Sequence, residues 1–163
     1  MLLLGTVYLF NLKKTTESQL AVLQFDKSKL KHLASTEDKS SKNRKDLSIV
    51  RDVNNRVIAL GGQTVSQTSS AKVYWNKETQ KVFIDATGLP APPEGMVYQV
   101  WSLKLKPSLM PTSIGLLANF EKEENRIFEV SNANDAEAFG ITLVPARGSA
   151  GSTIVQLYTL GKV

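Results

Sequence analysis

The sequence predicts an all-β domain, an antiparallel β-sandwich of about seven to eight strands behind an N-terminal α-helix. Three observations carry this expectation. Beyond Ser70 every apolar run is short and bounded by Gly, Pro, Asn or Ser; the runs "AKVYWN" and "KVFIDA" flank "KETQ" as a hairpin would; and almost no helical periodicity separates the later runs. At 163 residues, with 42% apolar and 21% charged side chains, the chain can build one packed core plus an appendage.

The appendage comes first. "MLLLGTVYLF" is apolar for ten residues before Asn11, Lys13 and Lys14. As a helix it would rise roughly 15 Å, half a bilayer's hydrocarbon thickness. No basic region precedes it and no small-residue cleavage site follows, so it reads as residues 1–12 of a partial transmembrane segment, with a docked N-terminal element as the alternative. Residues 13–51 form a juxtamembrane helix and polar linker. Leu20, Leu23, Leu30 and Ala34 follow a 3–4 spacing that Lys27 interrupts, a seam fit for weak self-association at most. "STEDKSSKNRKD", Ser35 to Asp46, contains no aliphatic or aromatic side chain, so it reads as a mobile linker or a solvated continuation of the helix.

The domain itself is expected over residues 52–163. A turn at Asn54-Asn55 leads into a strand ending at Gly61-Gly62, and the polar run "QTVSQTSS" connects it to the hairpin. "MVYQVWSLKL", "SIGLLANFE", "RIFEVS", "FGITLVP" and "TIVQLYTLG" follow as strands, with a helical turn in "NANDAEA". Residues 1–60 hold 11 basic and 6 acidic side chains, whereas residues 61–163 hold 9 of each. The net charge of +5 therefore belongs to the appendage, and the neutral domain lacks the basic face of a nucleic-acid binder.

Chemistry is sparse. The chain has no cysteine, and its one histidine, His32, lies in the lysine-rich appendage, which excludes thiolate nucleophiles, cysteine-ligated metals and a cupredoxin copper site. "ARGSAGST" runs from strand to strand, where a phosphate cradle needs a helix N-terminus, so it reads as a hairpin loop. "EKEEN" lacks the alternating ligands and glycine of a calcium loop and reads as a solvated tip. There is no G-x-S-x-G, and Asp85 and Glu94 form no recognisable acid–base pair. In "YQVW", alternation places Tyr98 and Val100 on one face and Gln99 and Trp101 on the other. Trp101 reads as a core anchor rather than an exposed binding platform, and so do Tyr74 and Trp75.

Taken in order, "DVNNRVIALGG", "AKVYWNKETQKVFIDATGLPAPPEGMVYQVWSL", "PTSIGLL" and "FGITLVPARGSAGSTIVQLYTLG" resemble the C-terminal extracytoplasmic domain of bacterial anti-sigma-K factors, over about Asp52 to Lys162. Carried onto this chain, the family pattern falls on Leu89, Pro90, Gly95, Tyr98, Gln99, Trp101, Gly115, Gly140, Thr142, Pro145 and Gly148, all in structural roles. Two departures stand out: Val144 replaces the usual Glu, and "KLKPSLMP" is longer than the family's turn. The resemblance implies a single-pass bacterial membrane regulator, not an enzyme and without cofactor. This domain would lie on the extracytoplasmic, periplasmic side. A sigma factor would be held only by a cytoplasmic domain absent from this chain, and a site-specific protease would release it by cutting near the membrane. The alternative is an exported ligand- or surface-binding β-sandwich with no transcriptional role.

Overall fold

The computed structural model describes residues 2–133, 135–148 and 156–163. The chain divides into two compact units, Met1–Lys45 and Asp46–Val163. One helix, α1 (Leu2–Arg51), supplies the first unit and the opening turns of the second.

Residues Ser35 to Asp46 are helical throughout. Of the two readings of this polar run, linker or helix continuation, the structure takes the second. The run contains neither Gly nor Pro, and its Lys, Arg and Glu residues are good helix formers. Its hydroxyls turn back onto the helix: Ser35 Oγ and Thr36 Oγ1 donate to the His32 carbonyl at 2.8 and 2.9 Å, and Ser41 Oγ to that of Asp38 at 2.8 Å. The seam residues Leu20, Leu23 and Leu30 are 57, 66 and 67% exposed. No helix among the described residues is long and apolar enough to cross a membrane.

The second unit is an eight-stranded antiparallel sheet. Its strands are β1 (Asn55–Gly62), β2 (Ser70–Asn76), β3 (Val82–Asp85), β4 (Met96–Lys104), β5 (Met110–Leu116), β6 (Ile127–Val130), β7 (Ala138–Pro145) and β8 (Leu157–Lys162). The order across the sheet is β5-β4-β7-β8-β1-β2-β3-β6. The hairpin over "KETQ" forms as expected, with Trp75 opposite Val82 and Lys72 opposite Asp85.

The expected antiparallel strands form, and all eight belong to one continuous, nearly barrel-shaped sheet that curls until its two ends meet. Ser131 N, just past β6, donates to the Ile114 carbonyl of β5 at 2.8 Å. A Cβ on Gly115 would lie 2.8 Å from Val130 Cγ1, so glycine is what lets the end strands approach. A bulge in the β4–β5 pairing, where Val100 faces Gly115 but Trp101 faces Ser113, adds the local bend. The described part of "NANDAEA" is irregular rather than helical. It spans from β6 to β7 and is held by backbone bonds, with Glu137 N donating to Leu103 O at 2.9 Å.

The main core lies inside the curl. It includes Ile58, Val73, Trp75, Ile84, Tyr98, Val100, Phe128, Phe139 and Ile141, with Trp75 edge-on to Phe139 at 5.7 Å. Trp101 is buried too, at 4% exposure, but on the opposite face of β4, in a smaller cluster with Leu103, Ala138 and Leu160. The alternation read from "YQVW" holds, and both faces of β4 are covered.

Candidate functional site

The family-pattern residues fall into three groups. The first lies inside the curl. The proline run after β3 is pinned at its start, where Leu89 N donates to Ala86 O at 3.0 Å, and at its end, where Met96 N donates to Pro93 O at 3.0 Å. Gly95 closes it with φ of +76°, a region where a side chain would be strained, and its carbonyl accepts from Ala146 N at 2.9 Å. From β4, Tyr98 reaches back across this run and donates its hydroxyl to the Pro90 carbonyl at 3.1 Å.

Around Tyr98 the aromatics gather. Its ring is 5.4 Å from those of Phe120 and Tyr158, and Phe120 stacks on Phe128 at 5.9 Å. Burial, reinforced by Tyr158 and opposed by Arg126, pushes the Tyr98 hydroxyl up to about 12. Such a phenol stays neutral and serves as a hydrogen-bond donor, not as a base.

Arg126 completes this group. Its guanidinium lies 4.5 Å from the Phe120 ring centroid, and Nη1 donates to the Leu89 carbonyl at 3.0 Å. Its neighbour Asn125 faces the other way and donates Nδ2 to the Asp46 carboxylate of α1 at 2.9 Å.

A second group lies on the outer face of β4 and β7. Trp101 Nε1 donates to Thr142 Oγ1 at 2.8 Å, and Gln99 Nε2 donates to Ser113 Oγ at 2.7 Å. Gly140 lies opposite Trp101, where a Cβ would come 3.1 Å from Leu157 Cδ1. Gly148, with φ of +75°, lies beside Leu116 and Gln99, and its N–H donates to the Pro145 carbonyl at 2.7 Å. The rest of the "ARGSAGST" loop, from Ser149, lies outside the described residues. Gly115 stands apart from both groups, at the closure of the sheet.

Two clefts flank the β6–β7 connection. One, of about 240 Å³, runs between that connection and the β4–β5 hairpin, bordered by Ser102, Lys104, Met110, Thr112, Ala133, Asp135 and Ala136. The other, of about 570 Å³, is bordered by Trp75, Lys77, Gln80, Asn132, Asp135, Ala136 and Glu137. The Trp75 indole N–H is buried and has no hydrogen-bond partner among the described residues. Glu137 accepts through Oε2 from the backbone N–H of Leu105 and of Lys106, the latter at 3.1 Å, so its carboxylate braces the long "KLKPSLMP" turn. Those two amides, and then Lys106 and Lys104, hold its carboxyl below the usual range. Among the described residues no cluster of three or more His, Cys, Asp or Glu could hold a metal ion.

The family model for the C-terminal domain of the anti-sigma-K factor rskA matches residues 14–154. The chain belongs to this family. The match takes in most of α1 and strands β1 to β7, beginning well before Asp52, where the resemblance begins. No curated protein and no solved structure matches the chain. The family is one of anti-sigma factors, which are regulatory proteins. Three residues that the sequence did not single out, Asp46, Asn125 and Arg126, connect the patterned core to α1. Asp46 and Asn125 are 79 positions apart in polar stretches, and no local signal pairs them.

Proposed function

We propose that this chain is the extracytoplasmic regulatory part of a membrane-bound anti-sigma factor, which controls an extracytoplasmic-function sigma factor through regulated proteolysis. The observation that carries this reading is the family match across both α1 and the sheet. The apolar run "MLLLGTVYLF" would contribute to the membrane tether, and the sigma factor would be held on the far side of the membrane by a cytoplasmic domain. The curled sheet would be the regulatory domain, held together by its patterned residues. The protease would act on the part of α1 before Asp46, because a helix whose side chains are exposed unwinds at low free-energy cost.

A second reading, an exported ligand-binding module without a transcriptional role, draws on the two clefts and on the unpartnered indole of Trp75. One experiment separates the two. The native gene is tagged after Val163, spheroplasts are treated with protease, and sigma-dependent transcripts are measured after deletion. Loss of the tag together with a rise in those transcripts is the expected result. A protected tag would refute the location, and unchanged transcripts would favour the second reading.

A further inference from the structure

Asp46 is buried to 7% exposure in a helix whose described side chains, from Leu20 to Lys45, are exposed. Burial of a charged side chain requires compensation, and here the amide of Asn125 supplies it at 2.9 Å. Two further contacts fasten the same end of α1. Asn55 Nδ2 donates to the Ile49 carbonyl, and Asn76 Nδ2 donates to Asp52 Oδ2 at 3.0 Å. The final turns of α1 are therefore part of the folded sheet unit, while the residues before Asp46 are not.

Asn125 is not an isolated clamp. It precedes Arg126, whose φ of +50° and two side-chain contacts, to the Phe120 ring and the Leu89 carbonyl, fix this turn on the aromatic core. Contacts thus run from Pro90 through Tyr98, Phe120 and Arg126 to Asn125 and Asp46. Contiguity alone does not establish coupling; a contact acts as a switch only when its making and breaking shift an equilibrium of the helix.

We propose that the Asn125–Asp46 bond is a regulatory clasp, which sets the point at which unwinding of α1 stops. With the clasp closed, Asp46–Arg51 stay helical and the stretch open to a protease ends at Lys45. With it broken, by a change in the core behind Arg126, fraying advances into Asp46–Arg51 and the accessible stretch lengthens towards the sheet. The consequence in the cell rests on the proteolytic reading above, but the clasp is a property of the isolated chain and is tested there.

The test is hydrogen–deuterium exchange on the full chain, comparing amides of residues 39–45 with those of 46–51. Wild type should exchange more slowly in 46–51 than in 39–45. Asn125→Ala and Asp46→Ala should each speed exchange in 46–51 by about tenfold, the size of effect expected from one hydrogen bond to a charged group. The double variant should be no faster than either single one, since Asn125 has other contacts and only non-additivity isolates the pair. Glu121→Ala, in the same turn, should leave 46–51 unchanged. Amides of β2 and β4 should keep their wild-type protection in every variant. The proposal is overturned if 46–51 exchanges as fast as 39–45 in wild type, if the two single effects add, or if the strands lose protection in parallel. Failure to observe cleavage in cells would refute the proteolytic reading and leave these rates untouched.

Discussion

The Tyr98 hydroxyl donates to the Pro90 carbonyl at 3.1 Å, tying the aromatic strand to the proline run that precedes it. With the ring fully buried among Phe120 and Tyr158, this bond joins two parts of the family pattern into one brace. Tyr98→Phe removes the bond and keeps the ring, and a loss of about 1 kcal/mol in denaturant unfolding is expected. Tyr98→Ala should cost roughly 3–5 kcal/mol. Equal stability of Tyr98→Phe and wild type would mean that the bond does not brace the run.

Trp101 supports the outer face of the sheet rather than the main core. Trp101→Ala should destabilise by roughly 3–5 kcal/mol, despite lying in the smaller cluster, because a large side chain is replaced by a cavity. Thr142→Val keeps the shape but strands the indole N–H, at a cost of about 1–3 kcal/mol. Thermal melts that leave Trp101→Ala near wild type would show that the Trp101 cluster does not anchor the outer face.

Closure of the sheet depends on Gly115. A Cβ there meets Val130 at 2.8 Å, and Val130 is β-branched and has little rotamer freedom to yield. Gly115→Ala should cost about 1–3 kcal/mol through overpacking. Adding Val130→Ala should recover part of that loss, and a double variant as unstable as the sum of the single ones would show that the two sites do not touch.

Acid should loosen the β4–β5 turn. The Glu137 carboxyl is held below its ordinary value of 4.5 by the Leu105 and Lys106 amides, so the bracing is complete above that pH and is lost as pH falls through the lowered value. Amide exchange at Leu105 and Lys106, followed by NMR, should accelerate in that acid range. Glu137→Gln should weaken the bracing at neutral pH and abolish its pH dependence. A turn equally protected at all pH values would show that the carboxylate is not what holds it.

Much of the strand content was legible because the relevant signals are local. The hairpin over "KETQ" and the start of β1 at the second of the two asparagines are written in turn residues and alternation. So was the division of faces in "YQVW", since alternation fixes which residues share a face. It does not fix which face meets the larger core, and that depends on strands far away in sequence. The single curled sheet was illegible for the same reason: β4 pairs with β7, β1 with β8 and β3 with β6, and none of these neighbours is adjacent in the chain. The helical state of Ser35 to Asp46 was ambiguous because apolar periodicity is silent where there are no apolar residues; propensity and the lack of breakers decide it there. Asp46–Asn125 had no signature at all, being a polar pair formed only once the sheet has placed the β5–β6 turn.

Limited proteolysis of the full chain, with early fragments mapped by mass spectrometry, shows whether a stable β unit carries a helix that is cut first. Strands locked in a sheet resist proteases, whereas an unsupported helix opens locally. First cuts are expected between Ser35 and Lys45, releasing a fragment that begins near Asp46 and persists. Early cuts within residues 71–131, with Ser35 to Lys45 left whole, would contradict the account.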